Sequence, residues 1–158
     1  MKKQPKRESE QAVSLRLWTY DEAIKALPYL RGVAQSLRDH WLEMQQAKST
    51  VRQIDARPGR PDRRALIARE EADRQAERAN DAFETAVNEL LHLSVYCLDP
   101  IRGQALIPFR QGDELAWYVF DLFAPDGLES WRFHQDPVDT RRPLAEQPVK
   151  PGKLLAAM

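Results

Sequence analysis

Two stretches of helical periodicity, separated by Pro58-Gly59-Arg60-Pro61, constrain this chain more than any other feature. In the first, Leu27, Leu30, Ala34, Leu37, Trp41, Met44, Lys48 and Val51 alternate spacings of three and four. That is the stripe one face of a helix offers to a partner, here with one lysine in it. In the second, Ala65, Arg69, Ala72, Ala76, Ala79, Phe83, Ala86, Leu90 and Leu93 repeat the pattern, with alanine at most positions. Alanine lets a neighbouring helix come close, and the bulk of Leu30, Leu37, Trp41 and Met44 fills the space it leaves. The prolines and glycine between the stretches cannot continue a helix but can reverse it. The pattern predicts a long antiparallel helical hairpin with a coiled-coil seam, each arm on the order of 45 Å long. Trp41 is expected to face residues 76–79.

The first arm has a marked beginning. Thr19 and Glu22 stand three apart, the spacing of a capping box, so a helix starts at Tyr20. Pro28 follows within that helix and lacks the amide its turn needs. Either the helix kinks there, or a short helix ends near Leu27 and another begins. Leu27 and Leu30 already fit the downstream seam, which favours a kink at Pro28.

From Ser94 the period changes to two. "SVYCL", "QALIPF", "ELAWYVFDLF" and "LESWRFH" read as four short strands, parted by "DPIRG", "RQGD" and "APDG". Asp99-Pro100 and Gly103 suit the first turn, and Gly112 and Gly127 serve the next two. The fold class is therefore α+β, a helical hairpin with a small C-terminal antiparallel β-meander. "LRLW" at 15–18 is expected to add an edge strand. In the third strand Leu115, Trp117 and Val119 point one way, and Ala116, Tyr118, Phe120 and Leu122 the other. Both faces are apolar, so both need cover, and the hairpin can supply only one. The other lies under the tail, under "LRLW" or against another chain. Tyr118, Phe120, Trp131 and Phe133 are the interface candidates.

The 158 residues suit one domain, expected over 14–136. Residues 1–13 are charged and aperiodic and are expected to form a disordered basic tail, and 137–158 a Pro-rich tail. Lysine plus arginine equals aspartate plus glutamate at 24 each, so no global field points to nucleic acid or a membrane surface. One cysteine, Cys97, permits no internal disulfide. With no secretory signal and no apolar run of spanning length, a cytoplasmic protein with no membrane partner is expected.

Three segments resemble an uncharacterised bacterial family, domain of unknown function 2203. They are "WTYDEAIKALPYLRGVAQSLR", "VYCLDPIRGQALIPF" and "SWRFHQDPVDTRRPL", which together span roughly residues 16–144. The resemblance implies the hairpin-plus-sheet architecture and brings no known activity. The chain departs from the family pattern at Leu98, in place of lysine, at Leu106, in place of an acidic residue, and at Arg132, in place of histidine. It also lacks a cysteine-tryptophan pair in the third strand. If the family has a polar site built from those groups, this member has lost most of it. Asp99, Gly103, Trp131 and Arg141 are the positions that match, and they suit turns and packing as well as function.

Chemistry-bearing residues are sparse. His92, Cys97, Asp99 and His134 are of metal-ligating types, but none has metal-site spacing, and no metal or cofactor is expected. There is no phosphate loop or nucleophile elbow. Around the hairpin turn Arg52, Arg57, Arg60, Arg63, Arg64 and Arg69 outnumber Asp55 and Asp62. Guanidinium forks suit phosphate, although no aromatic residue is interleaved to stack bases. Three functions stay open: a self-associating interaction or structural module, a nucleic-acid or ribonucleoprotein binder working through the arginine tip, and an enzyme or metal protein centred near Asp99 and His134. The first is preferred, with a homo-oligomer or another protein as partner.

Overall fold

Thr19 accepts the amide of Glu22 and returns its own amide to the Glu22 carboxylate, closing the capping box in the computed structural model, which describes residues 14–146. The helix it starts, α1 (Tyr20–Lys25), gives way at Ala26 to α2 (Leu27–Asp55). The kink expected at Pro28 is thus a helix break two residues earlier, the other of the two outcomes. Pro28 occupies the first turn of α2, where its missing N–H is one no helix uses. Ala26 bonds back to Glu22 and accepts from Leu30, so the two helices nearly abut.

The hairpin turn lies between α2 and α3 (Arg63–His92), and Asp62 caps α3 by accepting the amide of Ala65 at 2.7 Å. Ala65, Ala72, Ala79 and Ala86 are buried, seven residues apart, and let the arms close on each other. One detail of the expected seam differs. Ala47 is buried and Lys48 exposed, because an ammonium left in the seam would lose its hydration. Trp41 also meets Phe83, ring centres 5.4 Å apart. Helical side chains lean toward their own N-terminus, so on antiparallel arms these two rings lean toward each other. Polar links tie the outer edges: Tyr29 donates to Glu89, and Arg69 holds Asp55 at 2.7 Å.

The strands form one antiparallel sheet in the order β1 (Tyr96–Asp99), β2 (Gln104–Gln111), β3 (Glu114–Asp121), β4 (Leu128–Phe133) and β5 (Arg142–Pro143). Four were expected; the fifth is a two-residue edge strand in the stretch read as tail, with Trp131 opposite Arg142. The edge strand expected at 15–18 does not form. Its one backbone bond to the sheet runs from Trp18 N–H to the Pro108 carbonyl at 2.8 Å. A ladder there would need a donor from residue 108, and proline has none. The segment is pinned instead by Trp18 Nε1–H to the Leu93 carbonyl and by the Arg16 amide to Ser94 Oγ.

The main core lies between hairpin and sheet. Leu30, Leu37, Ala86 and Leu90 pack there against Ile107, Phe109, Tyr118, Phe120 and Trp131. Phe109 stacks on Tyr118 with ring centres 3.8 Å apart. A second, smaller cluster of Leu106, Trp117 and Val119 occupies the opposite face of the sheet.

Candidate functional site

The strand register builds the outer face row by row. Leu115, Trp117 and Val119 alternate outward along β3, and β4 sets Arg132 opposite Trp117 and Ser130 opposite Val119. On the other side Leu106 of β2 stands opposite Val119, and Tyr96 of β1 opposite Leu106. Leu15 reaches over from the segment before α1 and covers part of this cluster. What remains is an open groove of about 520 Å³ lined by Leu15, Tyr96, Leu106, Leu115, Trp117, Arg132 and His134. Its lining is apolar surface and two nitrogen bases, with no carboxylate and no thiol.

Trp117 organises the groove. It meets Tyr96 edge-on with ring centres 5.5 Å apart, and its indole N–H donates to His134 Nδ1 at 3.1 Å. Arg132 is buried, and its Nη1 reaches the carbonyls of Phe133 and Asp136, each at 3.2 Å. Its Nε has no hydrogen-bond partner among the described residues. Burial, and then the nearby charge of Arg141, push the Arg132 guanidinium below the usual arginine range, while Asp136 acts in the opposite direction. This end of the face is a poorly compensated cation.

The other end carries two acids beside Arg141. A second depression of about 340 Å³ is lined by Gln104, Val119, Asp121, Glu129, Ser130 and Arg141, among others. Asp121 accepts from Gln104 at 3.2 Å and from the Phe123 amide at 2.9 Å. Along the outer face the order is thus His134 and Arg132, then the apolar strip, then Asp121 and Glu129.

Several expected site residues fall elsewhere. Tyr118, Phe120 and Trp131 are buried on the helix-covered face, and Phe133 packs against the same core. Tyr118, Phe120 and Trp131 have no surface left for a partner, whereas Phe133 is half-buried. Which strand phase the helices cover is set by the hairpin's rotation, which no strand encodes. The polar phase of β4, with Ser130, Arg132 and His134 alternating against Trp131 and Phe133, is the local signal that marks the outer face. Asp99 makes a turn: its Oδ1 accepts the amides of Ile101 and Arg102. Gly103 ends that turn, and Arg141 donates to the carbonyls of Val138 and Thr140.

The centre imagined near Asp99 and His134 does not assemble. The His134 amide bonds to Leu115 at one end of β3, whereas Asp99 pairs with Gln104, which faces Asp121 at the other. His92 bonds its own helix at Asn88, and Cys97 is half-buried, its thiol pushed up by burial and then by the Asp99 charge. No group of three or more metal-ligating side chains stands together among the described residues.

At the far end of the hairpin Arg52, Arg57, Arg60, Arg63 and Arg64 are all exposed. Arg69 is set apart from them, engaged by Asp55 and Asp73.

The family model for "Uncharacterized conserved protein (DUF2203)" matches residues 16–122, most of the described chain. The chain belongs to this family. No curated protein and no solved structure matches this DUF2203 chain. The matched span covers the hairpin, the first turn and strands β1 to β3. Leu98, Leu106 and Arg132 fall together on the outer face. Among the described residues no helix of this DUF2203 protein is long and apolar enough to cross a membrane.

One ion pair fixes the border of the outer face. Arg142 holds Asp136 through two bonds of 2.8 and 3.0 Å, and the Phe133 amide donates to the same carboxylate. The Arg142 bonds first, and the Phe133 amide with them, pull the Asp136 carboxyl down to about 2. A carboxyl lowered on folding stabilises above its unfolded value, and that contribution is lost as pH falls through the folded one. The β4–β5 connection should therefore hold until pH approaches about 2. Asp136→Asn should remove this acid transition, read by the fluorescence of Trp131, over which Arg142 lies at 5.6 Å. An unchanged acid titration in the variant would contradict the assignment.

Proposed function

We propose that this chain is a cytoplasmic interaction module, without catalytic activity of its own, that pairs with a second copy of itself through the outer face of its sheet. The observation that carries the proposal is an apolar strip bounded at one end by Arg132 and His134 and at the other by Asp121 and Glu129, two acids that outnumber the neighbouring Arg141. A twofold axis across such a strip sets each cationic end against the partner's acidic end and apolar middle against apolar middle, as an isologous interface requires. Half-buried Tyr96 and Leu115 provide aromatic and apolar surface beside the buried Trp117. Cys97 is free, in keeping with a reducing compartment.

Sedimentation equilibrium on the full chain at tens of micromolar is the test. A dimer is expected for the wild type, and a monomer for Leu115→Arg, which places a charge on a half-exposed position of the strip and leaves the main core intact. A wild type that remains monomeric would overturn the proposal, as would a Leu115→Arg protein that dimerises equally well.

A further inference from the structure

The described arginines around the sheet are engaged. Arg16 holds Glu22, Arg31 and Arg38 hold the carbonyls of Pro125 and Ile101, and Arg102, Arg110 and Arg142 hold aspartates. The hairpin tip is different. Arg52, Arg57, Arg60, Arg63 and Arg64 make no side-chain hydrogen bond or ion pair among the described residues. Both acids of the tip are already committed, Asp55 to Arg69 and Asp62 to the Ala65 amide. Apart from the Arg69–Asp55 pair, five arginines stand against the single Asp62 carboxylate, so the tip carries net positive charge in a chain whose total charge is zero.

Two further features add to this field. The first turn of α3 contains no acidic residue, and Arg63 and Arg64 stand there in the positive end of the helix dipole. That placement costs a few tenths of a kcal/mol in the free protein, and an anion arriving at the tip would reverse its sign. The α2–α3 arm also carries the tip clear of the sheet. Arg38 makes the last α2 bond to the sheet end, at Ile101, and from there α2 runs on to Asp55, roughly 25 Å further. Between the two helix ends lies a cleft of about 550 Å³ whose lining includes Arg57, Gly59, Arg60 and Leu66.

We propose that the hairpin tip binds the phosphate backbone of a nucleic acid without reading its sequence. Guanidinium forks match phosphate oxygens two at a time, and several unpaired forks on one exposed end suit a repeating polyanion. The absence of aromatic residues among these arginines fits backbone contact without base stacking. The observation is separate from the pairing of the sheets and does not depend on it.

Fluorescence anisotropy of the full chain with a labelled single-stranded RNA and a labelled DNA duplex tests the proposal, across about 50 to 200 mM salt. The expected result is salt-dependent binding to both. Changing Arg57, Arg60, Arg63 and Arg64 together to glutamine should weaken it at least about tenfold at the lower salt and reduce the salt slope by about three. The four sites are exposed, so an unchanged thermal melt should accompany the loss. The same four changed to lysine should retain most of the affinity. Equal affinity and slope in the glutamine variant would overturn the proposal, since binding would then come from elsewhere, including Lys2, Lys3, Lys6 and Arg7. Binding to phosphatidylserine vesicles with none to either nucleic acid would overturn it too.

Discussion

Gly103→Ala is expected to destabilise the protein by about 3 kcal/mol or more, a large share of the stability of a domain this size. Gly103 has a φ of +64°, a region L-residues enter at a cost of about 1 kcal/mol. The larger part is steric. A Cβ at this position would stand 2.5 Å from the Cβ of Leu122, closer than real Cβ atoms come. The two chains cannot simply part there, because the Leu122 amide donates to the Gly103 carbonyl at 3.0 Å. Gly112 provides the comparison: its φ is +62°, but an added Cβ meets nothing within 4 Å. Gly112→Ala should thus cost only about 1 kcal/mol. Urea unfolding followed by tryptophan fluorescence measures both. Adding Leu122→Ala to Gly103→Ala should recover little, because the clashing Cβ remains, whereas Leu122→Gly should recover part. If Gly103→Ala proves as mild as Gly112→Ala, the close approach is not as described.

Trp131→Ala should cost about 3–5 kcal/mol, and Trp131→Phe much less. The side chain is among the largest that are fully buried and meets Phe133 edge-on, ring centres 4.9 Å apart. Alanine would leave a cavity among rings that have few ways to close it. Phenylalanine keeps a ring in the site and removes the indole N–H, which is buried with no hydrogen-bond partner among the described residues. A buried orphan donor costs about 1–3 kcal/mol, so its removal offsets much of the lost volume. The phenylalanine variant is therefore expected within about 1.5 kcal/mol of wild type. Equal losses in the two variants, measured by the same unfolding, would mean that the indole is bonded after all.

The parts of this fold legible from sequence are those whose cause is local. Thr19 and Glu22 announce their helix by spacing alone, Pro58 and Gly59 mark the reversal, and Gly103, Gly112 and Gly127 sit where the turns need positive φ. What was misjudged depends on distant partners. Ala47 and Lys48 are neighbours that the helical period admits equally, and the cost of burying an ammonium chose between them. Tyr118 and Trp117 belong to strand phases of equal apolarity, so only the docking of the hairpin decided that Tyr118 is inside and Trp117 outside. The candidate groove was missed for the same reason. Its residues come from four strands and the segment before α1, and their common face exists only once the register is set. The two residues of β5 carry no periodicity, and they pair because Trp131 and Arg142 are brought side by side.

The proline that stops residues 15–18 from joining the sheet also bears on what a foreign strand can do. Pro108 lies where β2 runs on past the end of its pairing with β1, a stretch where an intruding peptide could otherwise zip on by backbone bonding. At the opposite margin β5 is only two residues long and ends in Pro143. With β1 four residues long and β5 two, each described margin is short, and Pro108 and Pro143 each remove a donor that lateral strand addition would use.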